Sequence, residues 1–208
     1  MYSGVFGGPV SAGVTVEQDG GDLRVATEVQ NLVEGHDWPT GVDFRNAFLV
    51  VEVSLAGQPL AQLDGDQVPG WASDDVDGRQ EGDYGGLAGR GYAKALEGRI
   101  NDLGDPVSPV SFIDADTLLA KTKIPAGQVG PAVFTFELSA DASPGDIVDV
   151  RTRVIYRRLW RAIAVTKEWP DVVQGEPFER TVADVQFTHV LAGVDADLVF
   201  ENGFEASL

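Results

Sequence analysis

Two imidazoles, His36 and His189, stand about 150 positions apart in a chain of 208 residues. Neither lies in a Gly-x-Ser-x-Gly or His-Glu-x-x-His pattern, so the sequence offers no nucleophilic triad and no His-rich zinc site. Cysteine is absent. That excludes a Cys-x-x-Cys-His attachment site, and with it a thioether-linked c-type haem. It leaves the redox compartment open, because exported proteins also fold without disulfides. An imidazole can still ligate haem iron or hydrogen-bond backbone groups. His36 is a candidate for either role, since it sits in Gly35-His36-Asp37-Trp38-Pro39-Thr40-Gly41, where Pro39 fixes its own φ and Gly41 permits a turn. His189 shares strand parity with Val185, Phe187 and Leu191, and is expected on the rim of an apolar face.

A second constellation is acidic. Between Asp64 and Asp83 the chain carries Asp64, Asp66, Asp74, Asp75, Asp77, Glu81 and Asp83 among glycines. Hard cations take several oxygen ligands, so Asp74, Asp75, Asp77, Glu81 and Asp83 are candidate calcium ligands. The spacing is not that of an EF-hand, and a solvated acidic surface explains the same residues. Trp71, flanked by Pro69-Gly70, is expected to stand exposed as a stacking platform for a ligand ring. Among 33 acidic residues no pair is singled out for glycoside hydrolysis.

Strands must position these groups. Leu23, Val25 and Val29 alternate with Arg24, Glu28 and Gln30, while Phe134, Phe136 and Leu138 mark another strand. Val148, Val150, Val154 and Tyr156 share one face of a third, with Arg151, Arg153 and Arg157 on the other. Phe48 to Leu55 is apolar almost throughout, which predicts a strand covered on both sides. The 25 glycines and 11 prolines fall between such segments. The pattern predicts an all-β chain: one antiparallel β-sandwich domain over residues 1–208, with seven to nine strands. A long acidic Gly-rich loop is expected at about 64–91, a short helix around Gly91 to Leu96, and a tail from about 193 that adds an edge strand over Val194 to Phe200. Leu159 to Trp169 reads as helix or strand; Val182 to Leu191 reads as strand.

A formal charge of −18 disfavours nucleic acid and suits cations or basic protein surfaces. No apolar run is long enough to span a bilayer, and Met1-Tyr2-Ser3-Gly4 does not open a leader, so no membrane insertion is expected.

Three separated blocks carry a family resemblance. The first is Asn31 to Gly41 with Arg45 and Phe48 to Val53. The second is Gly89-Arg90-Gly91-Tyr92-Ala93-Lys94-Ala95-Leu96, followed by Pro109, Asp116-Thr117 and Lys123-Ile124-Pro125-Ala126-Gly127. The third is Val150 to Arg158. In this order they resemble a β-rich domain of multihaem c-type cytochromes and related exported bacterial proteins. The resemblance implies a periplasmic or extracellular, non-catalytic structural or binding module, with no covalent cofactor and with a multihaem cytochrome or another exported protein as partner. It also implies that His36, Trp38, Pro39, Thr40 and Arg45 form either a haem contact or a structural turn. The segment Leu198-Val199-Phe200-Glu201-Asn202-Gly203-Phe204-Glu205 resembles a short ending seen on many exported proteins of Gram-negative bacteria. The acidic loop and Trp71 support a different class, a calcium-dependent adhesive or carbohydrate-binding sandwich at the cell surface.

Overall fold

Alternation of period two becomes two antiparallel sheets. The computed structural model describes residues 2–4, 9–74, 79–100, 103–169, 172–173 and 176–193. One sheet runs β1 (Tyr2–Gly4), β2 (Val10–Asp19), β3 (Asp22–Asn31), β10 (Val129–Glu137), β6 (Gln62–Asp64). The other runs β14 (Glu179–Val190), β11 (Ile147–Arg157), β4 (Asn46–Leu55), with β5 (Gln58–Pro59) and β7 (Gly89–Tyr92) both paired to β4. Two small hairpins lie outside these sheets: β8 (Lys94–Gly98) with β9 (Ala115–Lys121), and β12 (Val172–Val173) with β13 (Glu176–Pro177). Among the described residues nine strands have four or more residues and five are shorter. The one α-helix among them is α1, Arg161–Thr166.

The core follows from register. Val25 pairs with Phe134 and Val16 across β3, while Val51 pairs with Thr152 and Val53 with Val150 across β4 and β11. Their inward side chains, joined by Val14, Leu49, Val154 and Val185, form one cluster that draws on both sheets. Burial of such side chains contributes roughly 1.5–3 kcal/mol each, which is what fixes the face each strand presents. β4 is covered on both sides, as its apolar run predicts. Phe48 and Val50 turn outward with Ile155, and Val68, Trp71, Ala72, Tyr84 and Leu87 of the acidic segment pack over them.

One local expectation changes and one open alternative is settled. Gly91 to Leu96 is not a helix but parts of β7 and β8. Ala93-Lys94-Ala95-Leu96 are good helix formers, yet backbone pairing of β7 with β4 and of β8 with β9 satisfies their polar groups instead. Leu159 to Trp169 contains the helix α1, whose Ala164 is buried with Leu159 and Phe178. The predicted edge strand at 194–200 lies outside the described residues.

Candidate functional site

The turn between β3 and β4 is built on a buried amide. Asn31, fully buried, donates from Nδ2 to the carbonyls of His36 (2.8 Å) and Ile124 (2.9 Å), and its Oδ1 accepts from the Val33 amide (2.9 Å). The chain then meets the 123–127 segment: Trp38 and Ile124 exchange both backbone hydrogen bonds at 2.8 Å. Trp38 is 2% exposed and tilts against Tyr92, ring centroids 6.0 Å apart. Burial pushes the Tyr92 phenol up from its ordinary range. Pro39 is buried and Thr40 half-buried. Gly41 has φ +89°, and a Cβ there would come within 2.9 Å of the Arg45 guanidinium, which lies half-buried against it. The positive φ at 41 is the conformation that favours glycine there. Asp37 and Lys121 form an ion pair at 2.9 Å across the same junction. Trp38, Tyr92 and Ile124, from three separated stretches of sequence, thus meet in one cluster.

His36 is different in kind. Its backbone carbonyl serves Asn31, while its residue is exposed on the surface of the turn. The imidazole can reach a partner molecule, whereas the fold uses only its main chain.

The acidic segment is organised by arginine. Arg157 at the end of β11 is fully buried. Its Nε donates to Glu179 Oε2 (2.8 Å), and its two terminal nitrogens donate to the carbonyls of Ala72 and Gly82 (2.5 Å each). The guanidinium also lies 4.8 Å from the Phe48 ring centroid and 5.5 Å from those of Tyr84 and Phe178. Burial pushes its pKa down, and the Glu179 ion pair and hydrogen bond offset only part of that desolvation. Arg161, on α1, lies 2.6 Å from Asp83 Oδ1 and 3.7 Å from Asp74 Oδ2, and donates to the Glu81 carbonyl at 2.5 Å. Asp83 is 7% exposed and accepts from the amides of Asp74 (3.1 Å) and Gln80 (2.8 Å). Gly82, at φ +83°, leaves room for Arg161, since a Cβ there would approach its guanidinium to 2.6 Å.

Of the calcium candidates, then, Asp74 and Asp83 face a guanidinium, Glu81 contributes its carbonyl to the same group, and Asp75 and Asp77 lie outside the described residues. Among the described residues no group of three or more acidic or imidazole side chains is arranged to hold a metal. Trp71, expected exposed, is half-buried: it packs edge-on against Trp160 (5.1 Å) and Phe48 (6.2 Å). Trp38 of the turn joins the cluster between the sheets, whereas Val68 and Ala72 of the acidic segment join the cluster on the outer face of β4.

Arg157 and Arg161 are the residues that pattern reading missed. A signal existed: residues 151–167 hold six of the 15 basic side chains, a charge block complementary to the acidic segment. Calcium is accordingly expected to act on this protein only as a screening salt. Thermal unfolding in millimolar Ca²⁺, in Mg²⁺ at matched ionic strength and in chelator should give superimposable curves. A calcium-specific rise would mean that the segment closes around an ion rather than around Arg161.

Neither a protein-family model nor a curated protein matches the sequence. A solved structure does resemble the fold. The penta-haem cytochrome c552 from Thermochromatium tepidum aligns with 86% of this chain at a TM-score of 0.54 and 16% sequence identity. The aligned region is 40% of the cytochrome's length, so the chain spans well under half of that protein. At this identity the similarity concerns the fold.

Proposed function

We propose that this chain is a non-catalytic binding module, exported from the cell, that works beside multihaem cytochromes and carries no covalent haem of its own. One observation carries the reading: a fold shared over most of the chain with part of a penta-haem cytochrome, in a sequence without cysteine. Thioether attachment needs Cys-x-x-Cys-His, so the haem in such a system belongs to the partner. The net charge of −18 favours a partner with a basic surface and speeds the encounter at low salt. His36, exposed on an ordered turn, is a contact residue for that partner. The adhesive alternative has less to stand on, since Trp71 is half-buried and Asp83 faces Arg161.

The test is capture. The immobilised chain is exposed at low salt to extracts of its own organism, and retained proteins are stained for covalent haem. Retention of a haem-bearing protein that elutes as salt is raised is the expected result. Retention of none would remove the cytochrome partner from the account.

A further inference from the structure

Positive charge gathers at one junction of this acidic protein. Three of the chain's four lysines, Lys94, Lys121 and Lys123, stand at the root of the β8–β9 hairpin, where Ala93 donates to the Thr122 hydroxyl (3.0 Å) and Thr122 to the Ala93 carbonyl (2.9 Å). Lys94 and Lys121 are direct partners in the β8–β9 register, so their side chains leave the same face as neighbours. Lys123 follows by two residues, and the bridge between Ile124 and Trp38 sets it beside the turn. Asp37, next to His36 in the chain, pairs with Lys121 at 2.9 Å. The exposed imidazole and the lysines therefore share one rim.

The fold uses only part of this charge. Like charges directly opposed across a hairpin destabilise it. Acidic side chains outnumber basic ones 33 to 15, yet neither Lys94 nor Lys123 has a carboxylate at ion-pair distance among the described residues. Burial pushes the pKa of the half-buried Lys123 down; Asp37 and Asp43 push it up, and Lys94 and Lys121 push it down again. A carboxylate arriving from outside would relieve the repulsion that remains.

The charge pattern indicates which carboxylate. A net charge of −18 selects a partner whose surface is basic, and such a surface offers few acidic side chains to these lysines. A haem that opens onto it brings two carboxylates of its own, the propionates of the porphyrin. A cationic spot on an acidic body is the complement of an anionic haem edge on a basic one.

We infer that Lys94 and Lys123, beside His36, receive the propionate carboxylates of the partner's haem and set the register of docking. The inference rests on the cytochrome reading proposed above. Titration calorimetry of the retained haem protein against the parent chain and against Lys94→Gln with Lys123→Gln tests it; Lys121 is kept so that its pair with Asp37 persists. The sign of the effect decides. Removing two positive charges tightens binding to a basic surface and weakens binding to propionates. A rise in Kd of roughly tenfold or more is expected, as for lost charge-assisted contacts. Lys167→Gln, at the end of α1, should bind as tightly as the parent or slightly more tightly. The haem supplies a second readout: lysines beside its propionates favour the less positive ferrous state, so its midpoint potential should be higher in the parent complex than in that of the double variant. Circular dichroism and melting confirm that each variant folds. Unchanged or tighter binding by the double variant overturns the inference and leaves the cytochrome reading standing. Weaker binding with an unchanged potential assigns the lysines to carboxylates of the partner's polypeptide and overturns it too. Retention of no haem protein removes the cytochrome reading and this inference together.

Discussion

Replacing Arg157 by Met is expected to lower unfolding free energy by about 3–5 kcal/mol, the usual cost of breaking a buried ion pair from one side. Three losses combine. Glu179 loses its guanidinium partner, and the carbonyls of Ala72 and Gly82 lose the donor that ties the acidic segment to the second sheet. Methionine keeps most of the apolar stem packed against Phe48, so the change isolates the polar contribution. For a protein of this size the melting midpoint should fall by roughly 10 °C. Hydrogen exchange should accelerate first over residues 66–74 and 79–88, because their attachment is what the substitution removes. A change below about 1 kcal/mol would mean that the segment is held by Val68, Ala72 and Tyr84 alone.

Trp38→Ala is expected to cost about 3–5 kcal/mol, since a large side chain, nearly inaccessible and packed on Tyr92, leaves a cavity that the backbone bridge to Ile124 prevents from collapsing. His36→Ala, two residues earlier, should stay within about 0.5 kcal/mol of the parent. Its contribution to the turn is a carbonyl that alanine also has. Chemical denaturation of the two variants separates the roles: Trp38 holds the turn together, and His36 is carried on it. A large loss in His36→Ala would make the imidazole part of the fold and remove it from the set of contact residues.

The architecture was legible where one face of a strand is buried. Val148, Val150 and Val154 point to the core and Arg151, Arg153 and Arg157 away from it, as period two requires. The double coverage of β4 was legible in its unbroken apolar run, but what covers its outer side was not. The covering segment alternates irregularly in sequence, and its described parts, 64–74 and 79–91, are held by contacts such as Arg157 to Ala72, 85 positions apart. No local pattern encodes such a pair; only the matching blocks of opposite charge hint at it. The same limit explains the helix expected at Gly91 to Leu96, where propensity pointed one way and long-range strand pairing prevailed. The turn at 35–41 was legible from Pro39 and Gly41. Asn31, which closes it through the His36 carbonyl, gains its role only once Ile124 is beside it.

The central claim is that haem belongs to the partner and this chain binds that partner. Optical absorption of the purified chain, of the haem protein it retains and of their reconstituted complex, each after gel filtration, tests it most directly. The chain alone should show no Soret band. The complex should elute as one species at low salt, with all of its Soret absorbance accounted for by the retained protein. A Soret band that stays with the chain alone, or a haem protein that elutes apart from it at low salt, would contradict the account.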